Sequence, residues 1–153
     1  MTSQYDRAAL SQKAISYDHV SRVYEELKRA GAVAYDMWLP ETRYLPHIIA
    51  HTEHIRGAVY GKYGKNRGVL VATDERIIFL NKKVLLLQLN DISYNVVSGV
   101  TRTRLGPIGT VTLRTSMGDY SLRTFNQKNA KNFVDYVSAQ YLQNKDEKHD
   151  AKA

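Results

Sequence analysis

The stretch Gly68-Val69-Leu70-Val71-Ala72-Thr73-Asp74-Glu75-Arg76-Ile77-Ile78-Phe79-Leu80 holds two apolar runs separated by a short polar break. Both runs are rich in Val, Leu and Ile, and Asp74-Glu75 supplies turn chemistry between them, so they read as paired strands at 66–73 and 76–81. Working outward, the period-two pattern begins near His54 and lasts to Thr124. The predicted strands are 54–63, 66–73, 76–81, 84–89, 92–104, 109–115 and 118–124. They are broken at Gly64-Lys65-Asn66, Asp74-Glu75, Asn81-Lys82-Lys83, Asn90-Asp91, Gly106-Pro107 and Met117-Gly118-Asp119. Seven short strands with tight breaks imply an antiparallel barrel or bent sandwich.

The flanks change period. Tyr17, Val20, Tyr24 and Leu27 form one apolar stripe on a helix predicted from Ser16 to Arg29. Ser16 suits its start, and Gly31 after Lys28-Arg29 suits its end. A second helix is expected over Ser3–Ala14 and a short helical turn over Pro46–Ala50. Met37-Trp38-Leu39-Pro40 reads as an apolar anchor followed by a break. After the strands, Ala130, Phe133, Val134, Val137 and Tyr141 define a helix over 128–142, with Asn126 or Asn129 as its cap. The charged remainder is expected to be flexible. Three units follow: an N-terminal helical extension at 1–44, a strand-rich domain at 45–142, and a tail at 143–153.

Charge and composition narrow the function. The chain has 153 residues, no Cys, 43% hydrophobic and 24% charged residues, so global disorder, disulfide frameworks and thiolate chemistry are excluded. No apolar run reaches membrane-spanning length, and the polar start does not resemble a secretory signal. These features fit a cytoplasmic protein, or one peripheral to the inner face of the membrane. The net charge of +7 lies entirely within 45–142, where bases outnumber acids about two to one. Such a field favours anionic partners.

The order of elements resembles the pleckstrin-homology (PH) superfold: mainly β with α, seven antiparallel strands and a C-terminal helical cap, here with N-terminal helices added. The wording resembles bacterial PH-like domains of the YokE-like type. The residues concerned are Glu53-His54-Ile55, Val59-Tyr60-Gly61-Lys62-Tyr63, Gly68 through Phe79, Asp91-Ile92-Ser93-Tyr94 and Gly109-Thr110-Val111-Thr112-Leu113. Ala130, Phe133, Val134, Tyr136 and Val137 complete the pattern. The resemblance covers about 45–142. It implies a non-catalytic fold whose candidate ligands are lipid, protein or a second copy.

Three groups are candidate sites. Lys62, Lys65 and Arg67 flank the first hairpin turn in a K-x-x-K-x-R spacing, similar to the basic signature of phosphoinositide-binding PH domains. Their ammonium groups and guanidinium fork suit phosphate oxygens. Arg102, Arg104, Arg114 and Arg123 are expected on one sheet face, opposite Val111, Leu113, Tyr120 and Leu122, if the loop Leu105–Gly109 closes a hairpin. The strands 76–81 and 84–89 are apolar on both faces, so Ile78, Leu80, Leu85 and Leu87 require cover. The cover is either the N-terminal helices, a second copy, or another protein.

Other chemistry is weaker. His47 and His51 are four apart beside Glu53 and His54, but no metal-protease order or further ligand set appears, so neither metal nor cofactor is expected. No nucleophile elbow, phosphate loop or dinucleotide fingerprint is present. Tyr94 and Tyr120 read as core. The leading expectation is a binding module for a protein partner or homo-oligomer. An anionic membrane surface ranks second and nucleic acid third.

Overall fold

The computed structural model describes residues 15–151; the helix expected over Ser3–Ala14 lies outside the described residues. Seven strands follow one another: β1 Ile55–Tyr63, β2 Asn66–Thr73, β3 Ile77–Lys82, β4 Leu87–Ile92, β5 Val97–Leu105, β6 Ile108–Thr115 and β7 Gly118–Thr124. They form one antiparallel sheet in the order β4-β3-β2-β1-β7-β6-β5, leaving β4 and β5 as its edges. The sheet bends around a core of Val59, Leu70, Phe79, Val111, Leu113 and Leu122. Helix α4, Gln127–Ala151, closes this core with Ala130, Phe133 and Val137.

The opposite face of β1–β3 carries Ala58, Tyr60, Val69, Val71, Ile78 and Leu80, also buried. This explains why β2 reads as a nearly continuous apolar run rather than an alternation. Three helices cover that face: α1 Tyr17–Arg29, α2 Ala34–Met37 and α3 Pro40–Ile48, which supply Val23, Leu27, Leu39 and Leu45. The N-terminal extension is therefore a second layer of the core.

Several local expectations are corrected. The buried side of α1 is His19, Val23, Glu26 and Leu27, whereas Tyr17 is 84% exposed. Two polar residues turn inward because partners wait there: His19 Nε2 donates to the Pro46 carbonyl at 3.0 Å, and Glu26 accepts from the Ile55 N–H and pairs with Arg22. Pro40 opens α3 rather than breaking the chain, as its fixed φ suits a first helical turn. The strand expected at 92–104 is interrupted by a 3₁₀ turn, Tyr94–Val96, which Ser93 caps. Tyr94 is buried, and its hydroxyl donates to the Thr73 carbonyl. Asn126 Oδ1 caps α4 by accepting the Asn129 N–H at 3.1 Å. The helix then continues to Ala151, through the segment expected to be flexible.

The crossing of β1 and β7 needs a glycine. A Cβ on Gly61 would stand 2.2 Å from the Arg123 carbonyl oxygen, and the backbone cannot yield without parting the strands. Gly61→Ala is expected to lower stability by about 3 kcal/mol, the upper end for overpacking. A urea titration within 0.5 kcal/mol of wild type, about the noise of a surface change, would refute this close approach.

Candidate functional site

The register joins residues that are distant in sequence into one line across the sheet. Arg123 of β7 pairs with Lys62 of β1, Lys62 with Arg67 of β2, Arg67 with Lys82 of β3, and Lys82 with Leu87 of β4. Residues directly opposite share a face, so four bases lie in a row at one end of the outer surface. Like charges so placed repel, and among the described residues an acid offsets this at one position. Glu41, fully buried on α3, accepts Arg67 Nε at 3.1 Å and Nη2 at 3.2 Å in a two-pronged pair. The Glu41 hydrogen bond, working against burial, raises the Arg67 guanidinium above its ordinary pKa.

Arg67 is thus committed to holding α3, and the K-x-x-K-x-R reading needs correction. Lys62, Lys65 and Arg123 are exposed and Lys82 is half-buried, and none of the four makes an ion pair among the described residues. Sequence reasoning named Arg123 in a different group and passed over Lys82. The Asp74-Glu75 turn already implied that Lys82 faces Arg67; the β1–β7 pairing left no local signal.

The same row ends at two turns. Gly64-Lys65 joins β1 to β2, with Gly64 at φ 59°. Val84-Leu85 joins β3 to β4: the Lys83 N–H donates to the Leu86 carbonyl at 2.8 Å, and the Leu86 N–H returns a bond at 3.4 Å. The expected strand 84–89 thus begins three residues later, at Leu87, and its apolar start is a turn apex. Val84 is 90%, Leu85 94% and Leu86 62% exposed.

The apolar hairpin is covered within the chain. Ile78 and Leu80 are buried beneath the N-terminal helices, and Leu87 packs half-buried against the same layer. Neither Ile78 nor Leu80 is therefore a surface for another molecule. Of the four residues that called for cover, Leu85 alone projects freely.

The four-arginine face does not form. Leu105 pairs with Ile108, so Gly106-Pro107 is a two-residue turn rather than part of a longer loop. Gly106 has φ 59°, as a type II′ turn requires at its first central position. This one-residue slip places Arg102 opposite Val111 and Arg104 opposite Gly109, on the inward-facing side. Arg123 lies opposite Thr110 and Arg114 opposite Asp119, on the outer side. Tyr120 packs on Phe79 with ring centroids 4.9 Å apart, and its hydroxyl accepts from Asn90.

The histidines serve the junction between helices and sheet. His54 Nδ1 lies 2.9 Å from Glu26, beside Arg22, and His19 stacks on His51 with ring centroids 4.4 Å apart. Among the described residues no group of three or more His, Asp or Glu is placed to hold a metal ion. None of the described helices is long and apolar enough to cross a membrane.

One solved structure to which the chain is similar is a DUF1696 family protein with a pleckstrin-homology domain from Shewanella loihica PV-4. It is 14% identical, and the match covers 66% of this chain and 93% of that one with a TM-score of 0.43. No curated protein matches. The model of the bacterial PH domain family matches residues 49–139, from the end of α3 into α4 and across all seven strands. With its sheet, its capping helix and more than half of its length so matched, the chain belongs to the bacterial PH domain family.

Proposed function

We propose that this protein is a non-catalytic module that attaches to anionic membrane surfaces through the basic row and the apex of the β3–β4 turn. The apex is the observation that carries this reading. Turns favour Gly, Asn, Asp, Pro and Ser for backbone reasons. Val84-Leu85 meets none of those reasons, follows Lys82-Lys83, and projects into solvent at the end where Lys62 and Lys65 are also exposed.

The magnitudes are adequate. Five cations near an anionic surface (Lys62, Lys65, Lys82, Lys83 and Arg123) contribute about 1 kcal/mol each at most. Seating three aliphatic side chains among acyl chains adds roughly 1 to 2 kcal/mol apiece. The gross total is about 8 to 11 kcal/mol, micromolar or tighter before ordering costs, and its electrostatic part weakens as salt rises. Self-association draws less support, because the two-sided hairpin that argued for a second copy is covered by the chain's own helices.

Co-sedimentation with phosphatidylcholine vesicles, with and without phosphatidylserine, tests the proposal. Binding is expected only with phosphatidylserine and is expected to fall with salt. Leu85→Glu should abolish it while leaving the urea curve unchanged, since this side chain is 94% exposed. Lys62→Glu with Lys65→Glu should do the same. Arg67→Glu is unsuitable, because it would set a carboxylate against Glu41. Undiminished sedimentation of the Leu85→Glu protein would reject the apex as the attachment point.

A further inference from the structure

We propose that the pocket between the Val33–Leu39 segment and the β1–β7 seam binds an amphiphilic anion: a phosphate or carboxylate on an apolar body. The pocket encloses about 500 Å³, within the range of small-molecule sites. Its walls are of two kinds. Val33, Leu39 and Phe125 supply apolar surface, and Phe125 is 76% exposed. Lys62, Lys65 and Arg123 line the other side and lack ion-pair partners among the described residues. The acid that also lines it, Asp36, is occupied: its carboxylate accepts the Val33 N–H at 3.0 Å.

The pocket also holds an unanswered polar group. Asn129 lines it, is 1% exposed, and neither its amide nitrogen nor its amide oxygen has a hydrogen-bond partner among the described residues. An unsatisfied buried amide is destabilising, and a ligand's donor or acceptor would offset that cost. The chain goes to some length to place it. Gly31, at φ 106°, passes so close that a Cβ would stand 1.8 Å from Asn129 Oδ1, and Asn126 Nδ2 donates to the Gly31 carbonyl at 3.2 Å. The loop after α1 is thereby held against the start of α4. Val33 and Leu39 precede the family-matched residues, so one wall of this pocket lies outside the matched domain.

An amphiphile delivered as a lipid monomer and one free in solution present the same chemistry, and the choice of probes separates them. Monomeric dihexanoyl phosphatidic acid, hexyl phosphate, inorganic phosphate and dihexanoyl phosphatidylcholine would be titrated into the ¹⁵N-labelled full chain. The Asn129 side-chain amide resonance is followed by NMR. Saturable shifts are expected with the first two probes, with the diacyl compound tighter if the ligand is a lipid and equal affinity if it is a soluble amphiphile. Inorganic phosphate and phosphatidylcholine should bind at least about tenfold more weakly. Val33→Trp, filling the pocket from its half-exposed wall, should weaken binding by a similar factor; Phe125→Ser is a second variant should the first perturb folding. Leu85→Glu should leave it unchanged, so this proposal stands or falls apart from vesicle attachment. Absence of a saturable shift at Asn129, equal binding of inorganic phosphate, or unaltered affinity in both pocket variants would overturn it.

Discussion

Replacing Glu53 with alanine is expected to remove about 3 kcal/mol of unfolding free energy, read from urea titration. Glu53 has no solvent exposure, and both carboxylate oxygens are fully engaged. Oε2 accepts Arg76 Nε at 2.9 Å and the Thr73 hydroxyl at 2.7 Å; Oε1 accepts Arg76 Nη2 at 3.0 Å and the Ala50 N–H at 3.1 Å. Arg76 also donates to the Ile48 carbonyl at 2.7 Å and to Asp91 at 2.9 Å, so one acid–base pair joins the end of α3, the β2–β3 turn and β4. Removing the acid leaves the partly buried Arg76 guanidinium with the Ile48 carbonyl and Asp91 as its remaining partners. Partial solvation of Arg76 and its bond to Asp91 keep the cost near the lower end for a buried pair.

The pH dependence follows from the same contacts. Burial alone would push the Glu53 carboxyl up, but the hydrogen bonds from Arg76, Thr73 and Ala50, with the Arg76 charge, outweigh it and lower its pKa. A carboxylate with a depressed folded pKa contributes stability that is present above its unfolded value, about 4.3, and lost as pH falls through the folded value. The gap between wild type and Glu53→Gln should therefore narrow on acidification below about pH 4.3. A gap that stays constant to the acid transition would show that the charge contributes nothing.

Removing residues 1–49 is expected to leave no soluble, folded monomer. Tyr60, Val69, Val71, Ile78 and Leu80 are buried only because α1–α3 lie over them. At roughly 2 kcal/mol each, their exposure costs about 10 kcal/mol, comparable with the whole stability of an ordinary domain. Size-exclusion chromatography should show the shortened chain in aggregates. A monomer with native circular dichroism would mean that the inner core alone suffices. The family match begins at residue 49, so this experiment asks whether that domain is sufficient in this chain.

The expectations that succeeded rest on short-range physics. Turn residues such as Asp74-Glu75 and Gly64-Lys65 set the hairpins, and the apolar runs over 68–73 and 77–80 located β2 and β3. The apolar excess of 77–80 on both faces stated correctly that cover was needed. Failures arose where a decision spans the chain or hinges on one residue. Glu26 and His19 look like solvent-facing residues of an amphipathic helix; distant partners, the Ile55 N–H and His54 for Glu26 and the Pro46 carbonyl for His19, make the inward position favourable. Val84-Leu85 resembles a strand because apolar residues at a turn have no local backbone cause. The slip at Gly106-Pro107 divided the arginine group, since strand parity turns on a single residue. The basic row was half legible: Lys62 and Arg67 meet across a tight turn, but Arg123 joins them through a pairing some sixty residues away. That Arg67 serves Glu41 was hidden, because nothing in either residue's neighbourhood announces the other.

The open seam between β4 and β5 gives Arg102 and Arg104 a different significance. The outer half of β5, from Thr101 to Leu105, is exposed and has only β6 as a neighbour, so one line of its N–H and C=O groups faces no strand of the sheet. Such an edge is a template for another chain to extend the sheet, and successive additions build fibrils. Both arginines point to the inward side of that edge, beyond the reach of the core. A strand docking there would have to strip water from two guanidinium groups without offering a counter-ion. These two charges disfavour the joining of sheets between neighbouring molecules.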